Sequence, residues 1–163
     1  MPILNEIENI YVIYPNSFES KIGFNKIREI LSNNCLSTLG EEKVEQLEFS
    51  SVYAEISDAL YQTDEFMHIL QEDVEFPVSY FIDVRPALAK IRIAGTWIEE
   101  YTLFDLRRSL QTIHDIVVFF TKEEYENTAY PHLYDLARDI AVFPKLIREI
   151  DNILDKFGRI KDN

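Results

Sequence analysis

Apolar residues recur along this chain at spacings of three and four, the repeat that lines one face of an α-helix. The clearest case is Leu103, Leu106, Leu110, Ile113, Val117 and Phe120, separated by 3, 4, 3, 4 and 3 positions. That spacing predicts a long helix with a near-heptad packing seam. Phe104, Ile116, Val118 and Phe119 add apolar surface beside the seam. The second half of this helix is therefore expected to be buried on more than one side, at the centre of the fold.

The same reading places further helices on both sides. Phe24, Ile27, Ile30 and Leu31 form an amphipathic stripe that closes near Asn33 and Asn34. Thr38 and Glu41 have capping-box spacing for a short helix carrying Val44 and Leu47. A longer helix opens at Ser51, with Ile56, Leu60, Thr63, Met67 and Leu70 expected inside and Glu55, Asp58, Gln62 and Glu65 outside. The acidic run Glu72, Asp73 and Glu75 ends it before Pro77, since proline disfavours helix at the preceding residue. Glu72 to Tyr80 reads as the longest linker-like stretch. Asp83 and Pro86 suit the start of another short helix that stops at Gly95. Tyr130-Pro131 and Phe143-Pro144 open two more. The last carries Leu146, Ile150, Ile153 and Phe157 up to a stop at Gly158. Tyr11-Val12-Ile13-Tyr14 has strand-like residues but no partner, so residues 1–13 are expected to form an extended arm. The prediction is an all-α fold, a compact bundle of about seven helices over residues 14–163.

Composition narrows what such a bundle can do. At 163 residues the chain fits one domain, and its 47% hydrophobic content is too apolar for a disordered segment. Sixteen basic against 29 acidic residues give a formal net charge of −13, which repels phosphate backbones. Two local groups run against that balance: Arg85, Lys90 and Arg92, and the pair Arg107-Arg108. These five are the candidate nucleic-acid contacts. The bland alternative, pairing with the surrounding carboxylates, ranks first on sequence alone. Cys35 is the single cysteine and reads as a packed thiol in a reducing, cytoplasmic setting. No apolar run long enough to span a membrane occurs.

Little in the chain points to catalysis. Gly23, Gly40, Gly95 and Gly158 lie too far apart to build a phosphate-binding loop, and no cofactor site is expected. His68, His114 and His132 lack metal-ligand spacing, so no metal is expected either. His114-Asp115 are helical neighbours whose side chains leave the axis about 100° apart, a poor start for a base and its orienter. The pairs Glu41-Glu42, Glu99-Glu100 and Glu123-Glu124 each fall near a predicted helix N-terminus, where negative charge is favourable. No catalytic residue is assigned.

Several words of the sequence, in order, carry a resemblance. They are Ile22-Gly23-Phe24-Asn25-Lys26-Ile27-Arg28, Cys35 to Glu42 and Gln62-Thr63-Asp64-Glu65-Phe66, then Asp83 to Leu88, Leu106 to Leu110 and Asp155 to Asn163. Together they resemble the N-terminal region of the bacterial MutS type 2 family, paralogues of mismatch-repair MutS, over residues 14–163. The resemblance implies that the chain is a piece of a longer protein that continues into a clamp, an ATPase holding ATP and Mg, and a C-terminal Smr endonuclease. It implies the core or lever role, linking clamp to ATPase, in a homodimer acting on branched DNA to suppress recombination or on collided ribosomes. On that view the helices Leu103–Phe120 and Leu146–Phe157 form a rigid unit transmitting nucleotide-driven motion. The alternative is an independent DNA-binding, rRNA-binding or protein-interaction module. Residues 1–13 depart from the family pattern.

Overall fold

Proline opens α5, α7 and α8 at the expected places and the Ser37 hydroxyl caps α3, whereas the helix begun near Pro86 ends at Lys90, ahead of the expected stop at Gly95. The structure, a computed structural model, describes residues 17–72, 75–122 and 129–162. Among them are eight helices: α1 (Phe18–Lys21), α2 (Phe24–Asn33), α3 (Thr38–Glu45), α4 (Tyr53–Gln71), α5 (Arg85–Lys90), α6 (Glu100–Thr121), α7 (Pro131–Ala137) and α8 (Pro144–Ile153). A single antiparallel bridge, Leu154 with Ile160, is the β-type pairing among the described residues. The all-α expectation holds. The expected arm over residues 1–13 lies outside the described residues, as do Asp73, Glu123-Glu124 and Asn163.

The core sits where α4, α6 and α7 meet. Ile69 of α4, Phe119 and Phe120 of α6, and Tyr130, Leu133 and Ala137 at α7 form one buried cluster, with Phe66, Phe76 and Ile116 packed against it. Phe76 is the aromatic hinge of this cluster, edge-on to Phe66 at 5.1 Å and to Phe119 at 5.2 Å. Ile69, Phe119, Phe120 and Leu133, the large apolar side chains buried here, each contribute roughly 1.5–3 kcal/mol by leaving water. Against the other end of α6 packs α8, and Leu106, Ile147, Ile150 and Leu154 are buried. The helix read as central therefore does join the others, and Leu106, Val117 and Phe120 of its seam are buried.

Several faces differ from the spacing. On α4 the predicted stripe is open and the buried residues are Glu65 and Ile69. The reason is α7, whose N-terminus needs an acceptor. Glu65 supplies it, taking the backbone N–H of His132 on Oε1 at 3.0 Å and that of Leu133 on Oε2 at 2.8 Å. One carboxylate thus satisfies two N–H groups that a helix start leaves unpaired. On α8 the buried positions are Ile147, Ile150 and Leu154, while Leu146, Ile153 and Phe157 are exposed. That helix ends at Ile153, and the chain turns back so that Leu154 meets Ile160. Gly158 lies inside this turn at φ 78°, against the Phe104 ring. The α3 cap is Ser37, whose hydroxyl accepts from the Gly40 N–H at 3.3 Å, one residue before the predicted Thr38.

The stretch from Glu75 to Val84 lacks helix yet is packed as a strap along α6. Thr112, 2% exposed, accepts the Tyr80 N–H at 3.2 Å and donates to the Arg108 carbonyl at 3.2 Å. Ser109 donates to the Ile82 carbonyl at 3.4 Å. Two polar residues sit buried in α6 because they satisfy the backbone of this strap. No described helix is long and apolar enough to cross a membrane.

Candidate functional site

Positions 104, 107 and 108 of α6 lie on one side of the helix at i, i+3 and i+4. With Tyr80 of the strap, Asp151 of α8 and the turn after it, they line a cleft of about 470 Å³. Arg107 makes a forked pair with Asp151, Nε to Oδ1 at 2.8 Å and Nη2 to Oδ2 at 3.0 Å, tying α6 to α8. This hydrogen-bonded pairing holds the Asp151 carboxyl below the usual carboxylate range and the Arg107 guanidinium above its ordinary value, while desolvation opposes both shifts. Arg108 bonds Asp105 through Nη2, which raises its own basicity. Its guanidinium lies over the Tyr80 ring at 4.2 Å and near the Phe104 ring at 4.9 Å. The buried Arg108 Nε has no hydrogen-bond acceptor.

The turn after α8 completes the cleft. Asp155 Oδ1 accepts the backbone N–H groups of Phe157 at 2.8 Å and Arg159 at 2.9 Å. The Arg159 N–H, first among these, holds the Asp155 carboxyl low. That turn brings Lys156 and Lys161 to the same wall. Four cations thus face two carboxylates in a protein of net charge −13. Sequence spacing misses the two lysines, because a helix running to Phe157 would carry them elsewhere; the signal for the turn is the Asp155-x-Phe157-Gly158 word itself.

The other three candidate contacts stand apart from this cleft. Arg85 is a bridge: Asp83 takes its Nε at 2.9 Å, its Nη2 at 2.9 Å and its backbone N–H at 3.0 Å. Glu42 of α3 takes Nη2 at 2.6 Å, so the pair connects α3 to the start of α5. Hydrogen bonds from Arg85 lower the Glu42 and Asp83 carboxyls, and those from Asp83 and then Glu42 raise Arg85. Lys90 is 4.0 Å from Glu99 and lines a smaller cavity with Trp97. Arg92 is exposed in the turn after α5. Arg85, Arg107 and Arg108 are each engaged by carboxylates.

The histidines form pairs with carboxylates or rings. His114 Nδ1 reaches Asp115 Oδ1 at 3.1 Å, contrary to the expectation from their 100° separation. The side chains are long enough to converge outside the helix, where Gln111 also donates to Asp115 Oδ1 at 2.7 Å. His132 stacks on Tyr61 with ring centroids 4.6 Å apart. Among the described residues no group of three His, Cys, Asp or Glu could hold a metal ion. Cys35 is half-buried and its thiol donates to the Leu31 carbonyl at 3.3 Å.

No family model matches this chain. It is similar to the endonuclease MutS2 of Geobacillus sp. (strain WCH70), 29% identical over 140 residues, covering 86% of this chain and 18% of that protein. It is also similar to endonuclease MutS2 of Clostridium beijerinckii, 29% identical over 140 residues, covering 85% of this chain and 17% of that protein. A putative endonuclease MutS2 of Bacillus subtilis (strain 168) is 24% identical over 144 residues, covering 88% and 18%. These matches bear out the resemblance read from the words of the sequence. The chain spans less than a fifth of the length of these curated relatives.

Proposed function

We propose that this chain, similar over most of its length to MutS2 endonucleases, is the helical core or lever segment of a longer protein of that kind. It positions and connects other parts and performs no chemistry of its own. The longer protein would use ATP and Mg in its ATPase part, act as a homodimer in the cytoplasm, and engage branched DNA or collided ribosomes.

The observation that carries this reading is the joint between α6 and α8. A forked ion pair and a packed interface join α6 to α8, Leu106 of α6 and Ile150 of α8 are buried, and the turn after α8 seats Gly158 on Phe104. Helices so joined move as one body, since packed interfaces resist continuous deformation. The candidate cations support the same view, because Arg85, Arg107 and Arg108 already hold helices together through carboxylates.

A second reading rests on the cleft, whose Lys156 and Lys161 add to Arg107 and Arg108, themselves paired with Asp151 and Asp105, and could meet a phosphate backbone. Titration of the chain with branched DNA, duplex DNA and ribosomes across a salt series separates the two. The lever reading expects no saturable binding by a chain whose helicity is verified by circular dichroism. Saturable binding that weakens with salt, at a slope of about −0.9 per phosphate neutralised on duplex DNA, overturns it in favour of the cleft.

A further inference from the structure

On α4, Ile56, Leu60, Thr63, Met67 and Leu70 follow one another at spacings of four, three, four and three, the repeat of a coiled-coil seam. The fold does not use it. Glu65 and Ile69, on another face, are the buried residues of this helix, while Leu60 is 65%, Met67 50% and Leu70 64% exposed. Beside the seam, Thr63, Phe66 and Met67 of α4 and Leu133 and Leu136 of α7 line a groove of about 410 Å³. Contiguous apolar surface of this kind on a folded domain marks a contact site, and a 3-4 seam next to a groove is shaped for the ridge of another helix.

Charge decides among occupants. From Tyr53 to Gln71 the helix carries no Lys or Arg; Asp58 and Glu65 turn toward α7, which leaves Glu55 and Asp64 as the carboxylates flanking the seam. Pairing with α4 of a second copy would set carboxylates against carboxylates, between chains that each carry −13. We infer that the seam receives a helix from another part of the same longer polypeptide, with apolar residues at 3-4 spacing and Lys or Arg on its flanks. The assignment rests on the reading of this chain as a segment of such a protein. Most of each MutS2 relative's length lies outside the matched part and can supply that helix.

The test places the photo-crosslinking residue p-benzoylphenylalanine at Leu60, and separately at Leu70, in the complete longer protein. Crosslinked peptides are located by mass spectrometry on mixed isotope-labelled and unlabelled protein, which separates links within a chain from links between chains. A link within one chain to a helix with basic flanks is expected, falling roughly tenfold or more when Met67→Glu puts a charge into the seam. The same residue at Trp97, an exposed site on a different surface, is expected not to reach that helix. Links to a second copy or to another protein, or no link, overturn the assignment. DNA or ribosome binding by the 163-residue chain alone would instead overturn the lever reading, so the two failures are told apart.

Discussion

An alanine at Gly158 meets two independent penalties, and a second glycine in the same protein separates them. Gly158 has φ 78°, where a β-carbon crowds the following carbonyl at a cost of roughly 1–2 kcal/mol. Its added β-carbon would also lie 2.6 Å from Phe104 Cγ and 2.7 Å from Cδ1, so a ring packed on α6 must move. Overpacking of that sort costs about 1–3 kcal/mol. Gly95 has φ 84° with nothing within 4 Å of its would-be β-carbon, and Gly95→Ala therefore meets the backbone term alone. Both replacements stiffen the unfolded chain, which offsets about 0.4–1 kcal/mol in each. Gly158→Ala should then destabilise by about 2–4 kcal/mol and Gly95→Ala by roughly 1 kcal/mol. Urea unfolding followed by circular dichroism reads both midpoints, and the gap should shrink in a Phe104→Leu background, where the side chain can yield. Equal destabilisation by the two alanines would refute the argument that the α8 turn is seated on α6 through Phe104.

Two further outcomes test the joints around α6 and α4. Glu65→Ala leaves the His132 and Leu133 N–H groups without their acceptor and should cost about 2–3 kcal/mol, with faster exchange of the Leu133 amide. Glu65→Gln keeps one acceptor oxygen and should cost less; no difference between Glu65→Ala and an exposed Glu48→Ala would sink the capping role. The Arg107–Asp151 pair is partly exposed, so its net worth is under about 1 kcal/mol. Because the folded Asp151 carboxyl lies below its unfolded value of 3.8, its contribution is present above that value and is lost as pH falls through the lower folded one. Arg107→Ala should therefore flatten the acid side of a stability-against-pH curve while leaving its neutral slope unchanged; an unchanged acid limb argues against the pair.

Sequence alone determined the all-α class and the order of the helices from α2 to α8, though neither the four-residue α1 nor the end of α8. Proline at Pro131 and Pro144, the Ser37 hydroxyl and the 3-4 spacing of α6 act within a few residues, so their effect is written locally. The words from Ile22 to Asn163 were likewise enough to find the MutS2 relatives. Tertiary structure decided which face of each helix turns inward. A seam on α4 looks the same whether its partner is in this fold or outside it, and here the inward face belongs to Glu65, because α7 has two backbone donors to satisfy. Ser109 and Thr112 are buried for a similar reason, since the strap from Glu75 brings its own unpaired backbone against them. The cleft also depended on a turn: Asp155 holds two backbone N–H groups and Gly158 takes a left-handed bend, which returns Lys161 beside Arg107 and Arg108. Periodicity records how much apolar surface a helix must hide, whereas the donors and acceptors of other segments, distant in sequence, fix where it is hidden.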